Sequence, residues 1–202
     1  MEPFGQQLGR RMTVESSLLA LEICARFEPG GRLHEGLRRL LTDAPASPTL
    51  QEKWLFYRQA ISELLVALPL FDRGCWDYFE DDAVARASYD QWVAGMVTEE
   101  GARPQPSGDD PYRGSARYLT FTMAFLLVKG TPTDAAVRRL CDIPEGRLWH
   151  RRTFEHILSG LGVLSFASVK SDVAYLIPRD VGWGLTLEDL ADARFQYLRP
   201  IV

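Results

Sequence analysis

The apolar positions of the chain change their period near the middle. Up to about residue 100 they recur at intervals of three and four, the spacing that lines one face of a helix. Val14, Leu18, Leu21 and Ala25 make a first stripe, Thr13 stands where a cap is needed, and Pro29-Gly30-Gly31 ends it. A helix is therefore expected from Thr13 to about Phe27. A second is expected over Leu33 to Leu41, on Leu33, Leu37, Leu40 and Leu41, before the two-proline loop Thr42 to Pro48. Thr49-Leu50-Gln51-Glu52 has the form of a capping box, in which hydroxyl and carboxylate satisfy backbone N–H groups of the first turn. It opens the strongest helical pattern, Trp54, Tyr57, Ile61, Leu64, Leu65 and Leu68, which Pro69 closes. A fourth helix is expected around Asp82 to Met96.

Past residue 111 the pattern becomes denser and alternates. Tyr118 to Val128 is rich in aromatic and branched residues and is read as a buried strand, with a helix as the competing reading because the run is 11 residues long. Gly130 breaks it, and Thr131-Pro132-Thr133-Asp134 starts a short helix to Cys141. Another helix is expected over Arg152 to Leu161. Two strands, Leu164 to Val169 and Val173 to Ile177, would be joined by a tight turn at Lys170-Ser171-Asp172. Thr186-Leu187-Glu188-Asp189 caps a last helix, which runs to about Phe195. Between the two patterns, residues 101–111 hold three prolines and two glycines and leave no periodic face to bury.

The expected fold class is thus α+β: a helical lobe over residues 1–100, a linker over 101–111, and a smaller α+β lobe with a short sheet over 112–202, packed separately or as one domain. Charge divides along the same boundary. Residues 72–110 hold 10 acidic and 3 basic side chains, and residues 113–170 hold 9 basic and 4 acidic. The two stretches are expected to face each other, within one chain or between copies.

Composition narrows the function classes. A chain of 202 residues that is 46% hydrophobic and 25% charged is built to fold, and a formal charge of −4 does not suit a general nucleic-acid binder. There are 20 Arg, 3 Lys and no Asn. A GC-rich genome explains all three at once, so arginine counts only by its placement. Residues Met1 to Arg11 lack the apolar core of a secretory signal, and the longest apolar run falls short of the roughly 20 residues that span a bilayer. The three scattered cysteines, Cys24, Cys75 and Cys141, fit free thiols, which makes the cytoplasm the expected compartment.

One resemblance emerges from element order. The Tyr-initiated strand Tyr118 to Val128 leads to a helix with Leu158, Leu161 and Gly162. Then come Tyr175-Leu176-Ile177-Pro178, Leu185-Thr186-Leu187-Glu188-Asp189-Leu190 and the ending Tyr197-Leu198-Arg199-Pro200-Ile201. Pro48 to Tyr78, with Gly74-Cys75-Trp76-Asp77-Tyr78, supplies a Leu-rich helix leading to an aromatic pair. Over residues 48–202 the chain resembles the domain-of-unknown-function family 1517 of bacteria, cyanobacteria and plastids. It departs from that pattern in an insertion from Thr131 to Arg151 and in lacking a Trp before Pro178. The resemblance implies no established enzymatic activity and no catalytic residues; plant members are linked to acclimation of photosynthesis.

The residues themselves offer few sites. His150 and His156 are six apart, about 240° around a helix, and cannot share a metal as an i, i+4 pair does. Cys-x-x-Cys, Gly-x-Ser-x-Gly and the glycine-rich phosphate loops are absent from the sequence. No catalytic, metal or cofactor-binding residues are assigned, and no cofactor is expected. Cys75 follows Arg73, which would favour the thiolate if both were exposed, although packing is the plainer reading. Asp77, Glu80, Asp81 and Asp82 form an acidic patch without calcium-loop spacing. Arg147, Arg151 and Arg152 flank Trp149 and His150, a combination able to hold phosphates and stack bases. The plainer reading is a helix start laced with ion pairs, with Trp149 in the core. Trp183, between two glycines, is a candidate lid or contact residue.

These observations point to a non-enzymatic regulatory or scaffolding module that binds a protein partner or a second copy of itself. Two other readings are an enzyme or small-ligand-binding protein, with a site between the lobes that combines carboxylates of Asp72–Asp82 with arginines of Arg147–Arg152, and a weak nucleic-acid contact through Arg147–Arg152.

Overall fold

A computed structural model describes residues 14–28, 30–101, 114–179 and 184–202, the side chains of 96–101 excepted. The expected linker from residue 102 onward and Trp183 lie outside the described residues.

The class is mixed α+β. Five strands form one antiparallel sheet in the order β4-β3-β1-β2-β5: β1 is Ser16–Arg26, β2 Phe71–Phe79, β3 Tyr118–Val128, β4 Val169–Ile177 and β5 Arg199–Pro200. Among the described residues six α-helices accompany them: α1 (Arg32–Asp43), α2 (Leu50–Val66), α3 (Asp82–Gly101), α4 (Pro132–Leu140), α5 (Arg151–Gly160) and α6 (Leu187–Ala191). The sheet draws β1 and β2 from the first half of the chain and the rest from the second, so the first hundred residues are not all helical.

β1 is the main correction to the sequence reading. Residues expected to continue a helix from Thr13 form the strand paired on both sides, by β2 and by β3. Ser16 to Ala25 are all buried. A strand covered on both faces has no polar side to alternate with, so its run is apolar at most positions and mimics a buried helix. Leu19, Leu21, Ile23 and Ala25 face the larger core, built with α1, α2, α4 and α5. Leu18, Ala20 and Cys24 face the opposite side, where α3 packs over the end holding Leu18 and Ala20, and α6 with the residues after it covers Cys24. β3 is fully buried up to Leu127, as expected for a strand between such layers.

β2 has no counterpart in the sequence reading. Its pattern is hidden because Asp72, Arg73 and Asp77 interrupt the apolar residues. Of the two strands expected before Pro178, the first gives way to a short 3-10 turn at Phe166–Ser168, and only the second forms, extended back to Val169 as β4. Ser171 and Asp172, expected in a turn, stay within it because their side chains have partners: Tyr89 Oη shares a hydrogen bond with Ser171, and Asp172 takes Lys53 as an ion pair and the Tyr57 hydroxyl at 3.1 Å. The capping boxes at Thr49 and Thr186 are both formed.

Polar groups at the start of β1 are met individually. Asp82 accepts from the Ser16 N–H at 2.6 Å. Asp134 accepts from the Ser17 hydroxyl, from Tyr78 at 3.1 Å and from the Gly130 N–H at 2.8 Å, which ties β1, β2 and the turn after β3 to α4. On the larger-core face, Gly74 lets α5 approach the sheet. A Cβ there would lie 2.6 Å from Phe154 Cε1 and 3.0 Å from the Glu22 carbonyl oxygen. Gly74→Ala is expected to destabilise the protein by about 1–3 kcal/mol, the range for overpacking a core. Urea unfolding measures it, and an unchanged midpoint would show that α5 can give way.

Candidate functional site

The acidic patch expected from Asp77, Glu80, Asp81 and Asp82 is dispersed by the fold. Glu80 pairs with Arg138 at 2.9 Å, which joins the acidic and basic stretches at one point. Asp81 accepts from the N–H groups of Ala83 and Val84 at the start of α3. Asp82 holds Ser16 and Arg86. Only Asp77 turns into a cavity.

The Arg-Trp-His segment is largely structural. Trp149 packs against the larger core and also against the cluster around Cys24. The backbone of Trp149 and Arg151 pairs with Val202, and the Arg151 guanidinium donates to the Leu68 carbonyl at 2.5 Å. Arg147, His150 and Arg152 remain exposed. None of the five lines the cavity that holds Asp77, so this cavity does not combine Asp77 with those arginines.

That cavity, of about 540 Å³, lies where the two covers of the sheet meet. Its wall comes from β1 and β2 on one side, α3 on a second, and Arg194 and Tyr197 near the last strand on a third. The strand pairing explains the geometry. Glu22 stands opposite Cys75 and Thr122, and Asp77 opposite Ala20. Both carboxylates therefore hang from the same sheet face on neighbouring strands, roughly 5–8 Å apart by strand spacing. Leu18 and Ala20 are covered by α3 and Cys24 by the C-terminal residues, which leaves Glu22 at the seam.

Glu22 was not singled out in the sequence because it was assigned to a helix, where an acid is unremarkable. In the strand it is 1% exposed. Tyr197 donates to its Oε2 at 2.8 Å, while Oε1 has no donor in hydrogen-bonding geometry. The Thr120 hydroxyl, on the same face of β3, is buried and likewise without a partner. Burial pushes the Glu22 carboxyl up to about 7, against the pull of the Tyr197, Thr122 and Thr120 hydroxyls toward the charged form. Burial also raises Asp77. Cys75, on the cavity wall, is pushed up to about 12 by burial and then by Asp77 and Glu22. It is a protonated packing group, not the thiolate that Arg73 would have favoured at the surface. Apolar surface is supplied by Phe79, Trp92 and Tyr197, the last two edge-on with ring centroids 5.9 Å apart.

A smaller cavity of about 370 Å³ lies on the other side, near α1, and includes His34, Arg32 and Glu63. His34 is buried and its Nε2 meets the Pro178 carbonyl oxygen at 2.9 Å. Among the described residues no group of three or more His, Cys, Asp or Glu is placed to hold a metal ion, and no helix is long and apolar enough to cross a membrane.

Comparison with known proteins gives no match: no family model, no curated protein and no solved structure.

The raised Glu22 carboxyl has a definite effect on stability. The folded chain holds a proton there that the unfolded chain releases near the ordinary value of 4.5, so stability falls as pH rises from about 4.5 through 7. The size is about 3 kcal/mol, at roughly 1.4 kcal/mol per unit. Glu22→Gln removes this slope. Between pH 4.5 and 8 the stability of the variant relative to wild type is expected to improve by up to about that amount. Urea melts at both pH values measure it, and parallel pH curves for the two proteins would show that Glu22 titrates as a solvated acid.

Proposed function

We propose that the chain is a small-molecule-binding module whose site is the cavity between the sheet, α3 and the residues around Tyr197. The observation that carries this reading is the buried carboxyl of Glu22, a residue that lines the cavity, with Oε2 held by Tyr197 and Oε1 without a partner in hydrogen-bonding geometry. A buried acceptor without a partner costs on the order of 1–3 kcal/mol, and a ligand that donates to it recovers that loss. The cavity volume falls within the roughly 300–1,000 Å³ typical of ligand sites, and a mostly apolar wall with a few polar groups is their usual make-up. This takes up the ligand-binding alternative from the sequence, with Asp77 kept and the arginines of 147–152 replaced by Glu22. Membership in the domain-of-unknown-function family 1517 remains part of the proposal. Its support is the order strand, helix, strand ending at Pro178, capped helix.

Gly95 supplies the test. It lines the cavity from α3, and a Cβ there meets nothing within 4 Å. Gly95→Leu fills the cavity and also favours the helix. Ligand-observed NMR with a mixed set of aryl amines, aryl alcohols and aryl carboxylates is expected to find binders of the wild type that the variant loses. If no fragment binds the wild type, or if the filled variant binds the same fragments equally well, the reading fails.

A second reading, docking of a protein partner or a second copy, is favoured by α2. Leu50 and Trp54 stand one turn apart and exposed beside Leu55, with the Arg58 guanidinium 4.9 Å from the Trp54 ring centroid. For the second-copy case, light scattering over a concentration series is expected to show self-association that Trp54→Glu removes. A wild type that stays monomeric throughout excludes that case.

A further inference from the structure

We propose that the cavity takes an organic cation, a protonated amine on an apolar body, with Glu22 as its counter-ion. This rests on the binding reading above and adds the class of ligand.

Three observations select the class. The first is charge. Among the described residues the acids lining the cavity are Glu22 and Asp77, and the one lining cation is Arg194, which Asp192 engages at 2.9 Å. An anionic ligand would be repelled by both carboxylates at short range. The second is hydrogen-bond supply. Glu22 Oε1 has no partner in hydrogen-bonding geometry, with only the Thr120 and Thr122 hydroxyls acting on the carboxyl besides Tyr197, and an ammonium group carries three donors and no acceptor. The third is the wall. Phe79, Trp92 and Tyr197 offer ring faces and edges to the body of the ligand, and a cation near such rings gains from their quadrupoles. An alcohol would meet the second and third conditions but leave the two acids without a counter-charge.

Binding by this route is linked to protons. The groups that face Glu22 come from every element around it: Cys75 and Asp77 from β2, Cys24 beside it in β1, Thr120 and Thr122 from β3, and Arg194 and Tyr197 from the C-terminal residues. α3 adds Ser88, Gln91 and Trp92, which carry no charge. Of these, Glu22 is the group poised to change charge near neutrality, at about 7. A cation binds the carboxylate and expels its proton, so affinity rises with pH. The ionised fraction grows about tenfold from pH 6 to pH 8, and the affinity of an amine that stays protonated over that range grows with it.

The test uses three probes of matched size on the full chain: 2-phenylethylamine, 2-phenylethanol and 3-phenylpropionate. Each is titrated by calorimetry and by protein NMR at pH 6 and pH 8, into wild type and Glu22→Gln. The amine is expected to bind best and about tenfold more tightly at pH 8 than at pH 6. Glu22→Gln is expected to weaken the amine at least tenfold at pH 8 and abolish its pH dependence, and to change the affinity of the alcohol far less. The wild-type pH comparison stands alone if the variant does not fold. An alcohol or carboxylate that binds as tightly as the amine at pH 8 overturns the assignment of class but leaves the binding site. Amine affinity equal at the two pH values, or untouched by the substitution, overturns the role of Glu22. If none of the three probes binds, this inference falls, and the fragment comparison with Gly95→Leu judges the binding reading separately.

Discussion

The structure depends on keeping β1 dry on both faces. A strand with every side chain from Ser16 to Ala25 buried must be paired on both edges and covered on both sides. β2 and β3 supply the edges. α1, α2, α4 and α5 cover one face, and α3 with the residues around α6 covers the other. The Ser16 N–H and the Ser17 hydroxyl at the head of the strand are met by Asp82 and Asp134, which are delivered to them by the helices that follow β2 and β3. Gly74 belongs to the same constraint, since it sets how near α5 can lie.

The two faces are not covered in the same way. One is sealed by a contiguous cluster of helices. The other is covered in two pieces from separate parts of the chain, α3 and the segment ending near Leu198, and the pieces leave a seam. Glu22 lies in that seam. A carboxyl at this position raises the free energy of the folded chain wherever it ionises. An apolar residue of similar volume would avoid the cost, so the acid is hard to account for by packing alone.

How much of this could be read from the sequence depended on whether the decisive signal was local. Thr49 with Glu52 and Thr186 with Asp189 act within one turn, and both helix starts were legible. Tyr118 to Val128 was legible because Thr120 and Thr122 alternate with larger residues on the other face. β1 was not, because Val14, Leu18, Leu21 and Ala25 fit helical spacing by coincidence in a run that is apolar at nearly every position. What distinguishes a central strand from a helix there is the presence of two partners, 50 and 100 residues away. The site failed for the same reason. Asp77 was noticed among its acidic neighbours, but its partner Glu22 belonged to a misread element. The Arg147–Arg152 segment drew attention by composition, yet Trp149 and Arg151 are committed to the core and to the Leu68 carbonyl.

Tyr197 links the chemistry of the seam to its architecture. Its hydroxyl reaches Glu22 from the residues that form one of the two covers, 175 positions along the chain. A phenol held by a carboxylate is bound more strongly than one held by a neutral carboxyl, by roughly a factor of two in the strength of a hydrogen bond. Any ligand that draws the proton from Glu22 therefore also tightens the bond that fastens this cover to β1. An amine in the cavity would gain its own contacts and improve one already present, so occupancy of the site and closure of the seam favour each other. A neutral ligand, leaving Glu22 protonated, has no such effect on Tyr197. If a ligand binds there as proposed, its charge would therefore bear on how firmly the C-terminal cover is held.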